Sequence, residues 1–226
     1  MLHTETVEAR TLDLIRALMS DTKLQAFFLV GGTALSLKLG HRISIDIDMF
    51  SDKEFDAESI GAHLKGKYGL TDDQVIKNGA FGFIDQVKVD FISHRYPLLK
   101  PMEVIDGIRM LSLEDIGAMK LHAIVQNGSR LKDFIDVYYL LEKIPFGLLS
   151  KAYCQKYPNA TPQMAHSGLL YHADIDFSVP VTMLKSKLDW AIINDRLRNA
   201  VLKNHWSVFE QDQPKEQTRQ KRGRRL

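Results

Sequence analysis

The chain has 226 residues, 45% of them apolar and 26% charged, the composition of an ordinary globular protein with one large domain or two small ones. No apolar run approaches the roughly 18 residues of a membrane span, the polar start MLHTETVEAR lacks the apolar core of a secretory signal, and the single cysteine, Cys154, allows no internal disulfide, so a reducing, cytoplasmic setting with no membrane partner is expected. The net charge of +2 is uneven: residues 215–226 carry six basic side chains and one acidic, +5, leaving −3 for the rest, which makes the tail either a handle for polyanions or a solvated, disordered end.

Apolar residues recur at roughly helical spacing over residues 5–20. Phe27–Val30 reads as a short buried strand running into Gly31-Gly32, followed by a helix from Thr33 to Leu39 that Gly40 stops. Residues 43–50 alternate, with Ile43, Ile45, Ile47 and Met49 on one face and Ser44, Asp46, Asp48 and Phe50 on the other. A helix is expected over 54–68 and a strand over 83–92, where Val87, Val89 and Phe91 share one face and Lys88, Asp90 and Ile92 the opposite one. Residues 96–107 read as irregular. Ser112 and Asp115 form a capping box that opens a helix to about Gln126; Asn127-Gly128 ends it, and helical segments follow near 130–143, 148–156, 161–172 and 180–204. Strands with helices come first and helices alone follow. That order predicts an α+β fold with an α/β core over 1–105, a helical half over 106–213 that completes the cleft, and a basic tail from 214.

Asp46 and Asp48 leave the same face of the predicted strand, about 7 Å apart at Cα for a rise of about 3.3 Å per residue. Carboxylates this close repel unless a cation lies between them, and Mg²⁺ accepts a few carboxylates together with substrate phosphates. Two such ions can clamp the attacking and leaving oxygens of a phosphoryl displacement. A lone Asp-x-Asp is weak evidence, since an amphipathic strand often carries two solvated aspartates. Asp90 is a third candidate, on a face that also holds Ile92. Gly31 and Gly32 allow close approach of backbone to ligand, and the helix after them offers free N–H groups to phosphate; a tight strand-to-helix turn needs glycine equally well.

Taken together, Gly31-Gly32-Thr33-Ala34-Leu35 and Gly40-His41-Arg42-x-Ser44-x-Asp46-x-Asp48-x-Phe50 resemble the signature of the AbiEii/AbiGii toxin family of nucleotidyltransferases, with a polymerase-β-like core. The segment Lys132-Asp133-Phe134-x-Asp136-Val137-Tyr138-x-Leu140-Leu141 is similar to that family's second signature. The resemblance implies a short mixed sheet flanked by helices. It implies transfer of a nucleoside monophosphate from an NTP with release of pyrophosphate, acting on RNA, notably the tRNA 3′ end, as the toxin of a type IV toxin–antitoxin or abortive-infection system with a cognate antitoxin. It makes Asp46 and Asp48 ligands of Mg²⁺ (or Mn²⁺), with Asp90 as third ligand placed to deprotonate the acceptor hydroxyl. Gly31, Gly32, Thr33, Arg42, Ser44, Lys132 and Asp133 would serve the nucleotide. A transferase using a small-molecule or protein hydroxyl, and a non-catalytic binding module on the same fold, are the rival readings.

In the helical half, Lys120 shares a helix face with Ile116 and Ile124. It must either snorkel to water or meet an anion, an NTP phosphate being one choice. In the next helix Leu131, Phe134, Ile135, Tyr138 and Leu141 form an apolar face. Asp133 and Asp136 lie opposite, either as surface ion pairs or as a second wall of a cleft that orients Lys120, Arg42 or the nucleotide. The pattern does not choose between the two aspartates. His94, His122, His166 and His172 show no metal-like spacing and read as structural or surface residues, and Trp190 and Trp206 as packing residues.

Overall fold

The structure is a computed structural model that describes residues 1–185 and 189–211, with side chains as far as Lys203. The basic tail and the Trp206 side chain therefore lie outside the described residues.

A short 3₁₀ turn, Thr4–Thr6, precedes helix α1 (Ala9–Ser20). The strands are β1 (Phe28–Leu29), β2 (Ile47–Ser51), β3 (Thr71–Ile76), β4 (Gly79–Ile84), β5 (Val87–Ser93), β6 (Glu103–Ile105) and β7 (Ile108–Met110). Helix α2 (Gly31–Leu39) links β1 to β2, and α3 (Ala57–Tyr68) links β2 to β3. All seven strands join one mixed sheet in the order β3-β4-β5-β2-β1-β7-β6. Only the pairs β2–β5 and β1–β7 are parallel. On one face Ile47, Met49, Val89 and Phe91 are buried, with the Phe27 ring 5.0 Å from Phe91 and 4.8 Å from Phe55. The opposite face carries Asp48 and Asp90, in register on the two parallel strands.

Four expectations about the sheet need correction. The strand expected from residue 43 begins at Ile47, because the preceding segment bonds elsewhere: Ile43 N–H donates to Thr182 O and Ser44 N–H to Thr6 O. Ile45, assigned by alternation to the core face, is 62% exposed. The single strand expected over 83–92 is a hairpin, reversed at Asp85-Gln86, both at positive φ, the conformation of a two-residue hairpin turn whose twist matches its strands. The irregular stretch before Gly107 contains a further hairpin turning at Asp106-Gly107, so the sheet continues to Met110, past the division expected at 105.

The remaining helices are α4 (Leu113–Gln126), α5 (Leu131–Leu140), α6 (Phe146–Lys156), α7 (Pro162–Leu170) and α8 (Trp190–Gln211). Ser112 caps α4, its Oγ accepting from Asp115 N–H at 3.0 Å, while the Asp115 carboxylate accepts from the Ser112 hydroxyl and so makes a side-chain bond in place of the capping box's backbone one. Asp115 also pairs with Lys156 of α6 at 2.8 Å, both fully buried, and accepts from the Leu99 and Lys100 N–H groups. A buried ion pair with its partners satisfied in this way need not add net stability over an apolar pair of similar volume. The segment 171–185, expected in part to be helical, runs as an irregular strap with turns at 173–174 and 177–178 and isolated bridges at Asp176 and Met183. Asp176 N–H donates to Ser129 O and Leu184 N–H to His41 O, which ties the start of α5 to the loop before β2.

Candidate active site

The cleft lies between the polar sheet face and helices α4 and α5, with a volume of about 450 Å³. Asp46, Asp48 and Asp90 all line it. Their surroundings differ. Asp48 has its pKa pushed up to about 6, by burial first, with Lys120 opposing the rise and the like charges of Asp90 and Asp46 adding to it. Asp90 accepts from Lys88 Nζ at 2.6 Å through Oδ2, while its Oδ1 is buried with no hydrogen-bond partner. Asp46, in the loop ahead of β2, stands 3.5 Å from Lys132 Nζ. Among the described residues no three His, Cys, Asp or Glu side chains are arranged as a ready ion cage. The donor set nevertheless suits a hard cation: a desolvated carboxylate surrounded by like charge, a neighbour with a free buried oxygen, and a lysine standing against them.

Helix α2 starts at Gly31, two residues earlier than expected, with Val30 as its cap. Gly31 has φ +69°, and a Cβ there would overlap the Asp48 carboxylate; a Cβ on Gly32 would overlap the Arg42 guanidinium. Both glycines line the cleft, so the first turn of the helix lies against the carboxylates, where its free N–H groups and positive dipole end favour phosphate. Thr33, expected to meet the nucleotide, is fully buried. Its hydroxyl hydrogen-bonds the Asp46 carbonyl and lies 2.9 Å from Ser44 Oγ. Thr33 therefore pins the loop that presents Asp46, and Ser44 shares in that brace.

The two α5 aspartates are both buried, Asp133 at 1% and Asp136 at 0% exposure, and they differ in their partners. Asp136 is fully buried and lies behind the cleft. It accepts from Arg42 Nε at 2.7 Å and Nη2 at 2.9 Å, meets His41 Nε2 at 2.8 Å, and pairs with Lys120 Nζ at 2.7 Å. Burial alone would raise its pKa, but the Arg42 and Lys120 charges and the bonds from His41 and Arg42 hold it well below the usual carboxylate range. His41 has its pKa lowered, by burial before any other cause. A neutral His41 donates from Nε2, in keeping with an Nδ1 that has no partner. Asp133 lines the cleft and pairs with Lys120 and Arg130, each at 2.7 Å. Lys120 thus meets two aspartates on α5; it neither snorkels nor stands free for a phosphate.

Reading the sequence did not single out Lys88 or Arg130. The i, i+2 spacing of Lys88 and Asp90 on a strand was the available signal for Lys88. His94 and His122, without metal-like spacing, read from the sequence as structural or surface residues. Both line the cleft, with Phe50, Ile92, Met119 and Tyr157. No pattern along the chain links these rings, because they come from two strands and two helices.

Comparison with known proteins bears on the family and the fold. Residues 13–219 match the family described as "Nucleotidyl transferase AbiEii toxin, Type IV TA system". The chain is 36% identical over 154 residues to "Uncharacterized protein aq_aa25" of Aquifex aeolicus (strain VF5), a match covering 66% of this chain and 74% of that one. The fold is similar to that of an H. pylori protein assigned as a nucleotidyltransferase (TM-score 0.54, 16% identity, 92% of this chain and 100% of that chain). It is also similar to JHP933 from Helicobacter pylori (TM-score 0.53, 18% identity, 91% and 96%). A glycine-started helix, an aspartate pair on parallel strands and a family match over nearly the whole chain converge: this chain belongs to the AbiEii nucleotidyl transferase family and is a nucleotidyltransferase of that fold.

Proposed function

We propose that the cleft moves a nucleoside monophosphate from an NTP to a hydroxyl at the 3′ end of an RNA, a tRNA being the favoured acceptor, and that the chain acts as the toxin partner of an antitoxin protein. The observation that carries the chemistry is Asp48 in register with Asp90 on parallel strands, beside the first turn of α2. That pairing sets an acidic centre directly against a phosphate-binding helix start.

Mg²⁺ or Mn²⁺, when bound by Asp46, Asp48 and Asp90, would neutralise the converging negative charge and polarise the reacting phosphate. The chain's own groups do the rest. Gly31 and Gly32 N–H groups bind the β- and γ-phosphates, and Lys132 and Arg130 at the cleft edge offset their charge. Arg42, held bidentate by Asp136, fixes the loop that carries Ser44 and Asp46. Lys120 is anchored by Asp133 and Asp136 and sets the positive potential that opposes the rise in the Asp48 pKa. The acceptor oxygen attacks the α-phosphorus, the bond to the pyrophosphate oxygen breaks, and the hydroxyl proton passes to Asp90. Lys88, paired with Asp90 at 2.6 Å, would be released toward the triphosphate when Asp90 takes up a cation.

Incubation of the protein with each labelled NTP, Mg²⁺ and total RNA tests the reading. A labelled tRNA band that disappears with Asp48→Asn is the expected result. Label on a small hydroxylated molecule or a protein, with none on RNA, would reject the RNA acceptor.

A further inference from the structure

At one end of the cleft the walls change from charged to aromatic. Along β2 and β5 the side chains facing the cleft follow a fixed order: Asp46, then Asp48 with Asp90, then Phe50 with Ile92, then His94. Gly32, Ser44, Arg42 and Lys132 lie at the Asp46 end. At the other end His94 lies 5.4 Å from the Phe50 ring and hydrogen-bonds the Tyr157 hydroxyl at 3.2 Å. His122 of α4 lies flat on Tyr157, with centroids 3.9 Å apart and planes 13° apart. Met119, one turn earlier on α4, adds an apolar edge. Phe50, His94 and His122 are only half-buried, although they line an internal cleft, and His122 Nδ1 has no hydrogen-bond partner. The open part of the cleft at this end is lined by Phe50, His94 and His122, with Tyr157, 4% exposed and stacked on His122, behind them, and this is the room a flat group can enter.

The direction of the reaction assigns that room. Phosphoryl displacement is in line: the attacking oxygen approaches the phosphorus opposite the leaving group. With the leaving pyrophosphate at the Gly32 end and the α-phosphorus over Asp48 and Asp90, the attacking hydroxyl must come from the Phe50–His94 end. The new P–O bond forms there, the bond to pyrophosphate breaks on the far side, and Asp90, between the two, takes the proton. We infer that the Phe50–His94–His122–Tyr157 compartment is the acceptor subsite, and that it holds the terminal nucleobase of a polynucleotide by stacking on these rings. The inference rests on the nucleotidyl-transfer reading and adds to it which part of the acceptor is recognised and by which residues. Stacking tolerates any base, since every base has a π face, so the subsite selects for a base at the 3′ end and not for a particular sequence.

The test uses a fluorescent single-stranded RNA oligonucleotide and the same oligonucleotide with an abasic 3′-terminal residue. Binding to the full chain is followed by anisotropy, separately from transfer. The parent should bind the intact end about ten-fold more tightly than the abasic end, the size expected of one stacked base. His122→Ala should erase that difference, and Phe50→Leu, which keeps the apolar volume and removes the ring, should reduce it; a melting curve for each variant checks its fold. NTP affinity by calorimetry should be unchanged in both. A parent indifferent to the abasic end overturns the subsite. So does a loss of NTP affinity in His122→Ala with the end preference intact, which would give the rings to the incoming nucleotide. Preferential binding of the intact end without any labelled RNA product would leave the subsite standing and remove the transfer reading, so the two failures are distinct.

Discussion

Replacing Asp136 by asparagine should destabilise the protein severely. The carboxylate is fully buried and takes four short contacts, two from Arg42, one from His41 and one from Lys120. Asparagine keeps the shape but loses the charge, offers one acceptor oxygen, and turns a donor amide towards groups that also donate. Arg42 and Lys120 are then left as buried cations with Asp133 as their nearest remaining carboxylate. Removing one partner from a buried pair typically costs about 3–5 kcal/mol, equivalent to a fall of about 6–20 °C in Tm for a chain of this length. Urea titration followed by circular dichroism at pH 7 measures it, and 1 M salt should not abolish the difference, because buried pairs are little screened. The acid side follows from the lowered pKa: the stability that ionised Asp136 provides is present above its unfolded value and is lost as pH falls through the depressed native value, so Asp136→Asn should flatten the acid limb of the stability curve. Lys120→Ala should be destabilising too, since it removes the cation shared by Asp133 and Asp136 and leaves Asp133 with Arg130 and Asp136 with Arg42 and His41. A loss below about 1 kcal/mol for Asp136→Asn would refute the reasoning and reduce the network to an incidental contact.

The remaining predictions concern the cleft. Asp48→Asn, measured with chelator present, should raise stability at pH 7–8 by up to about 3 kcal/mol while abolishing transfer. The raised pKa of Asp48 means that its contribution is fully present below about pH 4 and is lost as pH rises through about 6, so the gain in the variant should shrink as pH is lowered across that window; a gain independent of pH would contradict it. Thr33→Val should cost about 1–2 kcal/mol and depress transfer, because the bond to the Asp46 carbonyl is lost, whereas Thr33→Ser should restore both; equal behaviour of the two variants in a transfer assay would remove the bracing role. Gly31→Ala should abolish NTP binding in calorimetry, since it combines a positive φ with overlap on Asp48, and near-normal affinity would show that the turn can move without consequence.

Residue by residue, the chain alone determined what depends on neighbours in sequence. The helix cap at Ser112, the stop at Gly40 and the turn after β1 are local chemistry, and they came out within a residue or two of expectation. The parity of Asp48 and Asp90 on their strands was legible for the same reason, because a strand repeats every two residues wherever it is placed. The long motif around Gly31 and Asp46 carried the family. What the chain could not decide was every feature set by partners far away. Ile45 alternates like a core residue, but its segment is captured by Thr6 and Thr182. Lys120 has the pattern of a phosphate lysine or a snorkel, and only the packing of α4 on α5 reveals that two aspartates hold it. Asp133 and Asp136 are three residues apart on one helix and both are buried; which of them takes the guanidinium depends on where Arg42 arrives, 94 residues earlier in the chain. The ring compartment draws Phe50, His94, His122 and Tyr157 from four elements, and no periodicity joins residues whose only relation is that a folded sheet and two helices place them around one space.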